Sequence, residues 1–102
     1  MEKSLPALLE ALKSYHPQKI ILFGSAARGE ADAESDLDIL VIKETQEPFV
    51  NRLEHMAELC PPGVHADILV YTPDEIQSML DEENSFITQA LREGKVIYEA
   101  RP

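Results

Sequence analysis

Three aspartates and one small-residue turn carry the chemistry open to this chain. Asp36 and Asp38 are separated by a single residue and lead into an apolar run, Ile39-Leu40-Val41-Ile42. If that run is a strand, side chains alternate across it and both carboxylates point to one face. Two adjacent carboxylates repel unless a cation sits between them. Oxygen donors of this kind suit Mg²⁺, which takes few protein ligands and keeps room for water and substrate phosphate. The plainer reading makes Asp36 a strand cap and Asp38 an edge solubiliser. It does not explain a charge at the head of an otherwise apolar strand, where it is costly unless compensated. Asp67 stands in the same way at the head of Ile68-Leu69-Val70. If the two strands are neighbours, three carboxylates converge on one end of a sheet. They can then hold two Mg²⁺ ions, one clamping a triphosphate and the other activating an attacking oxygen.

Upstream lies Gly24-Ser25-Ala-Ala-Arg28-Gly29, placed directly after the apolar run Ile20 to Phe23. A missing side chain at Gly24 allows a ligand close to the backbone. The Ser25 hydroxyl and the N–H groups of a turn suit a phosphate. Arg28 adds a planar fork that can grip phosphate oxygens in pairs, and Gly29 lets the chain turn away. Phosphoryl-type transfers place their charge on phosphate oxygens, so metal ions together with Arg28 would supply most of the stabilisation.

The elements that must position these residues follow from periodicity and punctuation. Lys3 to Tyr15 reads as a helix with Leu5, Leu8, Leu9 and Leu12 on one stripe, ended by His16-Pro17. Lys19 to Phe23 reads as a buried strand, Ser25 to Gly29 as a turn or short helix, and Ala31 to Ser35 as a loop. Asp36 to Lys43 is the second strand. Pro48 to Leu59 is a helix closed by Pro61-Pro62-Gly63. His65 to Tyr71 is the third strand. Thr72-Pro73-Asp74-Glu75 has the form of a capping box and starts a helix running through Leu80. Ser85 to Arg92 is a further helix stopped by Gly94, and Lys95 to Tyr98 a closing strand. Helices alternate with strands, which predicts an α/β (α+β) domain: a small mixed β-sheet flanked by helices, with the site at one sheet end.

Composition narrows the class of function. The 102 residues predict a single domain spanning 1–102, with no length left for a separate acceptor-recognition domain. A net charge of −10 repels phosphate backbones, so direct nucleic-acid binding is not expected and a free-standing polymerase is disfavoured. The same charge favours a basic protein partner, although acidity of this order also serves plain solubility. The single cysteine, Cys60, forbids an internal disulfide and reads as a small buried hydrophobe. Glu10 and Lys13 interrupt the N-terminal leucines, and no apolar run is long enough to cross a membrane, so a cytoplasmic protein is expected.

Gly24-Ser25, ten intervening residues and then Asp36-x-Asp38 resembles the signature of the DNA polymerase β-like nucleotidyltransferase superfamily. Its short length, Arg28-Gly29 and the closing Gly94-Lys95-Val96-Ile97-Tyr98 make it similar to the minimal nucleotidyltransferases, often encoded beside a HEPN-domain toxin that some of them oppose as antitoxins. The resemblance covers nearly the whole chain. It implies metal binding by Asp36, Asp38 and Asp67, and triphosphate binding by Gly24 and Ser25, with Arg28 as a further contact. It also implies transfer of AMP from ATP, with Mg²⁺, to a tyrosine hydroxyl of a HEPN toxin in a hetero-oligomer. Two alternatives remain. One is an antitoxin that works by occlusion alone, though three crowded carboxylates would then have no purpose. The other is transfer to a small molecule such as an aminoglycoside, against which the short chain counts.

The other polar and aromatic residues receive plainer readings. His65 shares parity with Asp67 but reads as a strand-edge histidine, since Mg²⁺ prefers oxygen. His16 reads as exposed, and His55 as solvated on a charged helix side with Arg52, Glu54 and Glu58. Asp81-Glu82-Glu83 reads as a solvated helix end. Phe49, Leu53, Met56 and Cys60 read as core before interface, and Phe86, Ile87, Ala90 and Leu91 as core first and docking surface second. Lys43 and Lys95 are within conceivable reach of a nucleotide, but nothing in the sequence assigns them there.

Overall fold

A computed structural model describes residues 4–29 and 37–100. The elements run in the order α1 (Ser4–Lys13), β1 (Lys19–Phe23), α2 (Gly24–Ala27), β2 (Leu37–Ile42), α3 (Phe49–Leu59), β3 (Ala66–Tyr71), α4 (Pro73–Asp81), α5 (Ser85–Glu93) and β4 (Lys95–Glu99). Every expected element within the described residues is present, with ends shifted by a residue or two. The loop expected at Ala31 to Ser35 lies outside them, as does Asp36.

The four strands form one sheet in the order β3-β2-β1-β4. β1 pairs antiparallel with both β2 and β4, whereas β2 and β3 run parallel. A parallel pair needs a crossover long enough to return the chain, and α3 supplies it. Alternation along the central strands divides the core in two. Leu8 and Leu12 of α1 and Met56 of α3 pack with Ile20, Leu22, Ile39, Val41, Ile68 and Val70 on one sheet face. Ile76 of α4 and Ile87 of α5 pack with Ile21 and Leu40 on the other. Burial on both faces is why Ile20 to Leu22 and Ile39 to Val41 read as continuous apolar runs rather than alternating ones.

Local signals fix the helix starts. The Thr72 hydroxyl accepts the Glu75 N–H at 3.1 Å, and the Glu75 carboxylate accepts the Thr72 N–H at 2.8 Å, so the expected capping box is formed. The Asn84 side chain accepts the Ile87 N–H at 3.0 Å and caps α5.

One expectation for α3 is overturned. Arg52 is not solvated beside His55; it is 5% exposed. Its guanidinium donates to both carboxylate oxygens of Glu75, at 2.6 and 3.1 Å. It also donates to the backbone carbonyls of Glu47 at 2.8 Å and Val70 at 3.1 Å. A buried charge is tolerable when paired and fully hydrogen-bonded, and this fork ties α3 to β3 and to the start of α4. Two residues assigned to core are exposed, Leu53 at 38% and Phe86 at 41%.

Candidate active site

The register of the sheet brings Asp38 and Asp67 together. Asp38 on β2 lies directly beside Asp67 on the parallel β3, and on its other side is in register with Phe23 of β1. Phe23, Asp38 and Asp67 therefore form one row across three strands at one end of the sheet. Asp38 alternates with Leu37 and Ile39, which belong to the α1/α3 core, so it shares a face with Leu40 on the α4/α5 side. Asp67 is exposed and Asp38 partly covered. The two carboxylates stand on adjacent strands whose backbones are roughly 4.8 Å apart, and their donor set is all oxygen. Oxygen donors of this kind suit a hard divalent cation. The condition left open by the sequence, that the Asp67 strand lies beside the strand of Asp38, is fulfilled by the β2–β3 pairing.

Gly24 follows Phe23 and begins α2 with φ +73°. A Cβ built there would fall on the Asp38 carboxylate oxygen Oδ2 and lie 3.1 Å from Cγ. The glycine thus serves a positive φ and a close approach at once, and the space it leaves is what the Asp38 carboxylate occupies. Ser25 lies on α2, and the Arg28 N–H follows with a 3.3 Å bond to the Gly24 carbonyl. The exposed Arg28 guanidinium lies 3.7 Å from a Glu93 carboxylate oxygen on α5.

Beside Gly24 opens a cavity of about 190 Å³ lined by Phe23, Gly24, Arg28, Phe86, Gln89, Ala90 and Glu93. The Phe23 and Phe86 rings meet edge to face, 5.6 Å between centroids at 79°. The α5 half of this lining went unrecognised in the sequence, because Phe86 and Ala90 fall on a helical stripe that reads as core. His65 is exposed just before β3, and its carbonyl accepts the Leu37 N–H at 3.0 Å. Lys43 is at the far end of the sheet, donating to the Tyr15 carbonyl at 2.7 Å. Cys60 is partly covered, and burial pushes its thiol pKa up, away from nucleophilic character.

The α/β domain thus has a mixed sheet with carboxylates on two adjacent strands at one end, next to a glycine turn and an arginine. Comparison with known proteins makes the class specific. The family described as "Polymerase beta, Nucleotidyltransferase" matches residues 7–102, and the chain belongs to that family. It is 32% identical over 105 residues to a putative protein adenylyltransferase of Methanocaldococcus jannaschii, covering 95% of this chain and 97% of that one. The fold is shared with a putative nucleotidyltransferase from Sulfolobus solfataricus, with a TM-score of 0.61 and 18% identity over 92% of this chain and 75% of that one. It is also shared with a toxin–antitoxin structure determined with AMP-PNP, with a TM-score of 0.63 and 19% identity over 94% of this chain and 73% of that one. Among the described residues, no helix is long and apolar enough to cross a membrane.

Proposed function

We propose that this single-domain chain transfers a nucleoside monophosphate, AMP from ATP, to a hydroxyl group of a partner protein, with Mg²⁺ held by Asp36, Asp38 and Asp67. The observation that carries the reading is the in-register pair Asp38–Asp67, with the Asp38 carboxylate seated in the space left by Gly24. The oxygen-only donor set fits Mg²⁺, which when bound would neutralise phosphate charge and favour the ionised form of the attacking hydroxyl. Asp36, outside the described residues, completes the set in this proposal.

The protein's own groups do the rest. Gly24 and Ser25 present the turn against which the triphosphate lies. Arg28 holds its non-bridging oxygens, most strongly as charge builds in the transition state. The acceptor oxygen attacks the α-phosphorus, the bond to the β-phosphate bridging oxygen breaks, and pyrophosphate leaves. The hydroxyl proton passes to a carboxylate of the site or to water.

The protein acceptor is supported by the similarity to a putative protein adenylyltransferase and by the fold shared with a toxin–antitoxin structure. The partner we propose is a HEPN-domain toxin, joined in a cytoplasmic hetero-oligomer in which this chain is the antitoxin. A net charge of −10 would steer a basic partner towards it. Size-exclusion chromatography with the product of the neighbouring gene, at low and high salt, followed by incubation with ATP and Mg²⁺, tests this. Co-elution with nucleotide transfer to the partner is expected. Co-elution without transfer means occlusion alone, and no complex together with brisk transfer to a small hydroxyl compound removes the protein acceptor.

A further inference from the structure

We propose that the notch between β1 and α5 is the seat of the nucleobase, so that the nucleotide lies along the row Phe23–Asp38–Asp67 and the acceptor enters from the β3 edge. This rests on the reading that the phosphates lie at Asp38 and Asp67. The row gives the site a direction. At one end are the two carboxylates, and the Asp67 end is exposed on the outermost strand of the described sheet. At the other end is an apolar recess walled by the Phe23 and Phe86 rings. Two strand spacings separate Phe23 from Asp67, roughly 10 Å in all, a distance a nucleoside monophosphate can bridge.

The α5 side of the lining suits a base, while Gly24 and Arg28 at its other side are the residues proposed to hold the triphosphate. Phe86 stands 41% exposed at the cavity although it is a large aromatic, and a flat ring in this position offers a stacking partner. Gln89, one turn of helix further along α5, carries an amide able both to donate and to accept at a base edge. Glu93, the one carboxylate among the described lining residues, repels phosphate from the recess and draws the Arg28 guanidinium to its rim at 3.7 Å. The phosphates are thereby turned towards Gly24 and the aspartates, and the sugar lies between. With the base at α5, the approach left to an attacking hydroxyl is the opposite flank, past Asp67.

Calorimetric titration of AMP-PNP and of inorganic tripolyphosphate, both with Mg²⁺, tests the placement on wild type, Phe86→Ala, Phe86→Leu and Gln89→Ala. Wild type should bind AMP-PNP more tightly than tripolyphosphate. Phe86→Ala should weaken AMP-PNP about tenfold or more, in line with the loss of one base–aromatic stack, and leave tripolyphosphate unchanged. Phe86→Leu keeps an apolar side chain against Phe23 and should show the same selective loss, which separates stacking from a general loss of packing. Gln89→Ala should narrow the preference between adenine and guanine triphosphate analogues. Wild-type AMP-PNP affinity in both Phe86 variants overturns the base seat while leaving the transfer reading intact. Equal loss for tripolyphosphate and AMP-PNP in Phe86→Leu also overturns it. Failure of wild type to bind either ligand removes the transfer reading and this placement with it.

Discussion

Replacing Gly24 by alanine separates backbone strain from crowding of the Asp38 carboxylate, proposed here to be catalytic, because the chain provides its own control. Gly24 and Gly63 both have positive φ, +73° and +83°. A Cβ at Gly63 meets nothing within 4 Å, whereas at Gly24 it falls on the Asp38 carboxylate. The left-handed conformation costs an L-residue about 1–2 kcal/mol, and the stiffer unfolded chain of alanine offsets about 0.4–1 kcal/mol of it. Each variant should therefore lose about 1 kcal/mol, or roughly 4–8 °C in Tm for a domain of this size. The extra crowding in Gly24→Ala falls on the flexible end of a side chain, so it adds little to the stability loss. Its effect is to rotate the Asp38 carboxylate out of place, and if Asp38 holds the metal as proposed, transfer should fall by at least the 10–100-fold typical of disturbed supporting residues. Thermal melts and transfer rates measured on both variants should show similar Tm losses, with transfer lost only in Gly24→Ala. Wild-type transfer in Gly24→Ala, or equal loss of transfer in Gly63→Ala, would refute the reasoning.

Three further substitutions probe the scaffold and the site. Glu75→Gln retains the capping-box geometry but removes the charge facing buried Arg52. After discounting for the 41% exposure of the Glu75 side chain, the cost at neutral pH should be about 1–2 kcal/mol by chemical denaturation. The hydrogen bonds from Arg52 hold the Glu75 carboxyl below its ordinary pKa, so wild type's advantage over this variant is complete above the ordinary carboxylate range. It should shrink as pH falls through the lower folded value, and an advantage that grows on acidification would contradict the pairing. Gly94→Ala places a Cβ on the Ala90 carbonyl and 2.5 Å from Ile21 Cγ2; it should destabilise by about 1–3 kcal/mol, and an unchanged melt would contradict close packing at the α5–β4 junction. Asp38→Asn and Asp67→Asn should each abolish transfer while leaving the far-UV circular dichroism spectrum of the folded chain unchanged; wild-type transfer in either variant would remove that residue from the proposed metal set.

The fold was legible because its punctuation is local. Pro17, the Pro61-Pro62-Gly63 stop and the Thr72–Glu75 capping box mark ends that the structure reproduces within a residue or two. The two carboxylates were legible because each stands at the head of an apolar strand, where only a compensating partner makes a charge tolerable. Their meeting was conditional on strand pairing, a long-range fact that the sequence does not print and that the β2–β3 register supplies. Arg52 was misread for a related reason. Its helix neighbours Glu54, His55 and Glu58 are exposed, and the partner that makes its burial possible, Glu75, lies on another helix. Phe86 was misread in the opposite direction: helical spacing identifies a stripe but not where the neighbouring sheet ends, and Phe86 stands at that end beside the cavity.

The most direct test of the central claim is intact mass of the partner protein after incubation with this chain, ATP and Mg²⁺, compared with Asp38→Asn and with excess chelator. The account predicts that the partner gains whole AMP units with wild type and Mg²⁺ only, and gains none with Asp38→Asn or with chelator. An equal mass gain with Asp38→Asn, or undiminished transfer after chelation, would contradict it.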